Sequence, residues 1–91
     1  MPKMIKQAAL IQNGKGLHAR ASAQIVRLAE SFQSTTYVCY QDMRVPAQSI
    51  MGLLMLGAGQ GSVVTIEGEG VDADQAVSSL VSLIENKFGE T

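Results

Sequence analysis

The chain has 91 residues, 46% hydrophobic and 16% charged, values typical of one folded domain spanning residues 1–91. A formal charge of −1, with the seven lysines and arginines scattered along the chain, argues against nucleic acid as a partner. A single cysteine and a single histidine exclude an intramolecular disulfide and a conventional zinc site, so we predict neither a metal nor another cofactor.

The start of the chain lacks the apolar run of a signal peptide, and no stretch approaches the roughly 20 apolar residues of a membrane span, so we expect a cytoplasmic protein without membrane insertion.

The first predicted elements are a strand and a helix. Residues 4–11 are mostly apolar and end at a polar, glycine-bearing loop, which predicts a strand. From His18 to about Phe32, apolar residues recur at helical spacing, which predicts a helix lying on a sheet.

A hairpin and a short helix follow. Residues 35–40 are rich in β-branched and aromatic side chains, and two residues separate them from a second arm at 43–45 that Pro46 closes. We expect Cys39 to be buried in this hairpin. Ser49 then precedes the apolar segment 50–56, where its hydroxyl can cap a helix that ends at Gly57.

The last predicted elements are a strand and a long helix. Residues 62–67 alternate as a strand that the glycines of 68–70 terminate, and Asp72 resembles the start of a capping box. An apolar stripe then predicts a helix reaching Gly89. The order β-α-β-β-α-β-α indicates an α+β open-faced sandwich, a four-stranded antiparallel sheet covered on one face by three helices. A ferredoxin-like sheet shares the first six elements and is the alternative fold.

His18 is the residue that most directly suggests chemistry. It lies at the start of the first predicted helix, where backbone N–H groups without intrahelical partners and the helix dipole favour an anion. Arg20 adds a guanidinium suited to phosphate within the first turn. A hydrolytic site fits less well, because the nearest hydroxyl, that of Ser22, is expected to face the sheet and the motif contains no carboxylate. We therefore predict that His18 is a nucleophile that carries phosphate, against the alternative of an exposed or capping histidine.

Two glycine-rich segments allow a ligand-binding interpretation. Residues 14–19 match a dinucleotide fingerprint, but the next predicted strand enters a hairpin and the chain is too short for a two-mononucleotide sheet. The loop at 57–61 follows a helix and precedes a strand, the reverse of a phosphate-binding loop. A small ligand-binding domain therefore remains only a third hypothesis.

The sequence resembles the HPr family, the histidine-containing phosphocarriers of the bacterial phosphotransferase system, over nearly the whole chain. The resemblance is carried by Asn13-x-x-Gly16-Leu17-His18-Ala19-Arg20, by the segment 48–57 and by Gln60-Gly61. It implies an open-faced sandwich that is a carrier and not an enzyme. It also implies that His18 accepts a phosphoryl group on Nδ1 from an enzyme I-type protein and passes it to an enzyme IIA-type protein. Ala19 and Arg20 would hold the phosphate by their backbone N–H groups, with the Arg20 side chain supplying charge.

The resemblance also implies that both partners dock on the second helix. The docking side chains would be Ile50, Met51, Leu54 and Met55, with Gln24 and Arg27 at the polar edge. Core packing is the alternative for each of the four apolar residues, although the spacing directs Leu53 and Leu56 inward and the methionines outward. A carrier that shows one face to two partners in turn is expected to be a monomer.

Ser49 matches a serine that a regulatory kinase phosphorylates in some family members. A phosphate there would place a dianion within the docking surface, whereas a capping role explains Ser49 without a kinase. A regulatory binding module controlled at Ser49 is thus the alternative function, and it would not need His18. Gln48 and Ala21 depart from the usual Lys and Pro of the family, and Ala21 is expected to loosen the first helical turn. The ending Phe88-Gly89-Glu90 is similar to the nitrogen-related branch, so sugar transport and nitrogen-related regulation both stay open.

Overall fold

The structure is a computed structural model that describes residues 4–90. All seven predicted elements are present in the predicted order. They are β1 (Met4–Leu10), α1 (Ala19–Glu30), β2 (Thr35–Tyr40), β3 (Met43–Pro46), α2 (Ile50–Leu56), β4 (Val63–Glu69) and α3 (Ala73–Glu85). The prediction that the last helix reaches Gly89 is wrong, since α3 ends at Glu85 and a short 3₁₀ turn, Lys87–Gly89, follows it.

The sheet has the strand order β1-β4-β2-β3, and each of its pairs is antiparallel. The ferredoxin-like alternative is therefore wrong, because a split βαβ arrangement places β3 between β1 and β2, whereas here β4 lies between them. The two-residue turn at Gln41–Asp42 joins β2 to β3, with Tyr40 paired to Met43. The open-faced sandwich is confirmed.

The hydrophobic core lies between one face of the sheet and the three helices. Along β4, Val64 and Ile66 are fully buried against the helices, while Thr65 and Glu67 point to the other face, as the alternation predicts. Helix α3 packs on β1 and β4, and α1 packs against both α2 and α3. In residues 4–90 no helix has the length and apolar character needed to cross a membrane.

The predicted end of β4 at Glu67 is wrong, since the strand continues through Gly68 to Glu69. Helix α3 crosses the strand at this point. A Cβ added to Gly68 would lie 2.7 Å from Cγ2 of Val77, so only glycine lets the helix approach this closely.

The predicted capping box at Asp72 is also wrong. Asp72 is the N-cap residue of α3, but its side chain makes no capping hydrogen bond. Its carboxylate accepts hydrogen bonds from the backbone N–H groups of Gln33 (2.9 Å) and Ser34 (2.8 Å) and from the Ser34 hydroxyl. The Ser34 hydroxyl, followed by the Gln33 amide, lowers the pKa of Asp72. Asp72 therefore fastens the loop between α1 and β2 to the start of α3.

Cys39 is half-buried, not buried as predicted. It is next to Val38, whose side chain faces the core, so its own side chain points to the opposite face of the sheet. Partial burial raises the pKa of the Cys39 thiol, and the neighbouring Glu67 carboxylate raises it further.

Candidate functional site

His18 occupies the junction between the β1–α1 loop and α1. It is the N-cap residue, with φ −73° and ψ 178°, and its carbonyl accepts the Ser22 N–H at 2.9 Å. The helix start predicted at His18 is thus confirmed to within one residue. The imidazole makes no capping hydrogen bond, and the first turn of α1 carries no acidic residue. The N–H groups that open α1 are therefore available to an anion beside the ring.

The loop before His18 is pressed against the residues that follow α2. Gly16 has φ +61°, and a Cβ there would lie 2.5 Å from the carbonyl oxygen of Ala58 and 2.7 Å from Cα of Gly59. The next N–H, of Leu17, donates to the same Ala58 carbonyl at 3.1 Å. This packing places His18 beside the end of α2. The glycines of 14–16 thus shape a loop, and the antiparallel partner of β1 does not form the parallel βαβ unit of a dinucleotide site.

The His18 ring is held through Nε2. This nitrogen lies 2.5 Å from Oε2 of Glu90, and both side chains are only 24% exposed. The buried amide of Asn13 donates from Nδ2 to Oε1 of Glu90 at 3.2 Å and to the Gly16 carbonyl at 2.9 Å. The hydrogen bond from His18, with help from Asn13, lowers the pKa of Glu90. An ionised carboxylate only accepts hydrogen bonds, so Nε2 carries a proton, and in the neutral ring the lone pair is then on Nδ1.

His18 opens onto a depression of about 850 Å³. It is lined by Gly14, Lys15, His18, Ala19, Arg20, Gly89 and Glu90. The structure therefore brings the predicted phosphate ligands Ala19 and Arg20 together with His18. Lys15 supplies a further cation that sequence reasoning missed, although it stands in the glycine loop directly before His18. Within residues 4–90, no group of three or more His, Cys, Asp or Glu side chains could hold a metal ion.

The hydroxyl nearest to His18 in the sequence does not belong to this depression. Ser22 is fully buried and its hydroxyl donates to the Leu17 carbonyl at 3.3 Å. Ala21 is also fully buried. The position of Ser22 agrees with the expectation that it faces inward, away from any role as a nucleophile.

Helix α2 presents an apolar surface that we call the α2 patch. It consists of Ile50, Met51, Leu54 and Met55, exposed by 41, 70, 38 and 71%. Leu53 and Leu56 are buried, so the predicted division between inward leucines and outward methionines is confirmed, and the core alternative for the four patch residues is wrong.

Gln24 and Arg27 have different surroundings on α1. Arg27 is exposed in the last turn of the helix. Gln24 is half-buried, and its amide donates to the Phe88 carbonyl at 3.3 Å. Gln24 therefore fastens the C-terminal turn, a contact that the sequence did not indicate.

Ser49 caps α2. Its side-chain oxygen accepts the Gly52 N–H at 3.0 Å, and Gly57 ends the helix in a left-handed conformation with φ +65°. Both predicted ends of the helix are confirmed.

Comparison with known proteins gives one consistent result. Residues 5–86 match the family described as "PTS HPr component phosphorylation site". The phosphocarrier protein HPr of Cupriavidus necator is 46% identical over 87 residues, covering 96% of this chain and 98% of that protein. The phosphocarrier protein NPr of Shewanella violacea is 37% identical over 90 residues, with coverages of 99 and 98%. The crystal structure of HPr from Thermoanaerobacter tengcongensis has a TM-score of 0.91 and 44% identity, with coverages of 96 and 98%.

Proposed function

Because the chain belongs to the HPr family of phosphotransferase-system phosphocarriers, we propose that His18 is the residue that accepts and returns the phosphoryl group. The role of the chain is that of a carrier, not of an enzyme that turns over a free metabolite. One observation carries the assignment to His18. Its ring stands at an uncapped helix N-terminus, with Nε2 bound to Glu90 and Nδ1 left as the nucleophile.

The transfer requires one bond exchange at phosphorus. The Nδ1 lone pair of His18 forms a new N–P bond while the N–P bond of the donor's phosphohistidine breaks and its electron pair returns to the donor ring. The backbone N–H groups at Ala19 and Arg20 and the Arg20 guanidinium stabilise the charge on the phosphoryl oxygens. Transfer to the acceptor reverses these changes at His18.

The donor is an enzyme I-type protein and the acceptor an enzyme IIA-type protein, partners that the phosphotransferase role implies. We assign both to the α2 patch, which lies beside His18 because Leu17 bonds to Ala58 just after α2. Exposed methionines suit a surface that must fit two different partners in turn. Arg27 is exposed on α1, which packs against α2, and supplies a positive charge for the partners; Gln24 lies on the same helix.

The regulatory module that would act without His18 is not favoured, because the family match concerns a phosphocarrier. Phosphorylation of Ser49 by a kinase stays a prediction. The hydroxyl already serves as the cap of α2, and a phosphate there would set a dianion against the α2 patch.

A cytoplasmic, monomeric carrier is part of this proposal, since one face has to meet two proteins in succession. A related structure, 48% identical, is that of an HPr dimer from Thermoanaerobacter tengcongensis. Light scattering of the chain, with and without phosphorylation, decides the oligomeric state. The acceptor that removes the phosphoryl group from the phosphorylated chain identifies the branch, either sugar transport or nitrogen-related regulation.

The direct test is intact mass after incubation with phosphoenolpyruvate and an enzyme I-type protein. We expect one phosphate on the native chain, lost in acid, and none on His18→Ala. Arg20→Ala keeps the nucleophile and is expected to be modified more slowly, which separates the two roles. A phosphate that persists on His18→Ala, or a native chain that stays unmodified by active enzyme I proteins, contradicts the assignment.

The docking assignment is tested with Met51→Glu and Val71→Glu. Both introduce one carboxylate at a highly exposed apolar residue, but Val71 lies just after β4, at the end of the sheet away from His18. Met51→Glu is expected to weaken binding of both partners by about ten-fold or more, the equivalent of losing one buried apolar side chain. Equal binding by the two variants would contradict a docking role for the α2 patch.

A further inference from the structure

We propose that Glu90 is a positioning residue for His18: its side-chain carboxylate, which follows the turn after α3, orients the ring and stabilises it once it is phosphorylated. This inference rests on the proposed function. It concerns a contact between two residues that are 72 positions apart in the sequence.

The C-terminal turn is built to bring Glu90 back to α1. After α3 ends, Lys87, Phe88 and Gly89 have φ values of +59°, +56° and +77°. Left-handed backbone is unfavourable for a bulky residue such as Phe, and it persists where surrounding contacts hold it. Here Phe88 is anchored in the core at 5% exposure, and Gln24 donates to its carbonyl.

Each oxygen of the Glu90 carboxylate has its own partner. Oε1 accepts from the amide of Asn13, which is itself 2% exposed and tied to the Gly16 carbonyl. Oε2 accepts from Nε2 of His18. A carboxylate held at both oxygens is fixed in orientation, so it fixes the plane of the imidazole in turn.

The contact also has an electronic consequence. When the Nδ1 lone pair forms the N–P bond, the ring that keeps its proton on Nε2 becomes positively charged. Lys15 from the loop and Arg20 from α1 line the same depression and oppose that charge. Among residues 4–90, Glu90 is the one anion in this lining. The carboxylate thus stabilises the ring on the side away from the phosphoryl group, and the two cations stabilise the negative charge on the phosphoryl oxygens.

The test compares Glu90→Ala and Glu90→Gln with Glu30→Ala, which removes a like charge from the exposed end of α1. The first measurement is the ¹H–¹⁵N correlation of the imidazole. The native chain is expected to show a downfield Nε2–H signal protected from solvent exchange. Glu90→Ala should lose it, and Glu90→Gln should keep a weaker hydrogen bond through its amide oxygen.

The second measurement is the rate of phosphorylation by an enzyme I-type protein. At metal-bound histidines, loss of the carboxylate that orients the ring typically costs about 10–100-fold. We expect about a ten-fold decrease for Glu90→Ala, because the pair is partly exposed. A smaller decrease is expected for Glu90→Gln and none for Glu30→Ala.

The outcomes separate this inference from the proposed function. An unchanged Nε2–H signal and rate in Glu90→Ala would overturn the positioning role while leaving His18 as the carrier. A faster rate would also overturn it, because repulsion between Glu90 and the incoming phosphoryl group would then dominate. If the native chain accepts no phosphate, the proposed function fails, and loss of the Nε2–H signal in Glu90→Ala still establishes that Glu90 holds the ring.

Discussion

Gly16→Ala is expected to destabilise the fold by about 2–5 kcal/mol and to displace the loop that carries His18. An L-residue in the left-handed region costs about 1–2 kcal/mol, and Gly16 has φ +61°. The new Cβ would also lie 2.5 Å from the carbonyl oxygen of Ala58 and 2.7 Å from Cα of Gly59, both backbone atoms. Overpacking of this kind typically costs about 1–3 kcal/mol in addition.

Two other glycines separate these causes. Gly57 has φ +65° with nothing within 4 Å of an added Cβ, so Gly57→Ala carries the backbone cost alone, about 1–2 kcal/mol. Gly14 has neither the positive φ nor a neighbour within 4 Å. Gly14→Ala is therefore expected to change the free energy of unfolding by no more than about 0.5 kcal/mol.

The assay is equilibrium unfolding in urea, followed by circular dichroism, on all three variants. The chain contains no tryptophan, so the helical signal is the natural probe. Phosphorylation is then measured under conditions in which each variant is folded. The phosphorylation of Gly16→Ala should be slower than that of Gly14→Ala, because the loop that carries His18 has moved. If Gly16→Ala is no less stable than Gly57→Ala, the close approach of the loop to Ala58 does not constrain the fold and the reasoning is refuted.

Three further substitutions test other parts of the structure. Gly68→Ala should cost about 1–3 kcal/mol in urea unfolding, because its Cβ would meet Val77 at 2.7 Å, and a near-neutral result would show that α3 can shift freely. Ser49→Ala should cost about 1 kcal/mol through loss of the α2 cap while leaving His18 phosphorylation intact; a loss of phosphorylation would contradict a purely capping role. Asp72→Asn should destabilise the chain at neutral pH. The Ser34 hydroxyl keeps the pKa of Asp72 low in the folded state, so the stabilisation is present above the unfolded pKa and disappears as the pH falls through the folded value. The gap in urea midpoints between native and Asp72→Asn should narrow on acidification, and a constant gap would contradict this origin.

The elements that the sequence predicted best are those whose signals are local. Ser49 and Gly57 bracket α2 within one short segment, and their hydrogen bonds and left-handed φ involve neighbouring residues only. The hairpin is similar, because β-branched residues, a two-residue turn and Pro46 define it without reference to the rest of the chain.

The errors occur where the answer depends on what packs against a residue. Gly68 has the composition of a strand end, but it lies inside β4 because Val77 of α3 crosses there. Asp72 has the spacing of a capping box, but its carboxylate accepts a hydrogen bond from Ser34, 38 residues away. Local sequence gives the capacity of a side chain to accept a hydrogen bond, whereas tertiary structure selects the donor.

The candidate site likewise contains residues that the local sequence predicts and one that only the tertiary structure reveals, and the reason is electrostatic. His18 and Arg20 were recognisable because anion binding at a helix N-terminus is local, and a carboxylate in that first turn would repel the phosphoryl group. An anion that stabilises the ring must therefore reach Nε2 from a distant part of the chain, and Glu90 does so. The sequence pattern did not indicate this reversal, because the apolar stripe extended the last helix to Gly89, whereas α3 ends at Glu85 and Phe88 has a left-handed backbone. The carboxylate carried by that reversal arrives on the side of the imidazole opposite the reacting nitrogen.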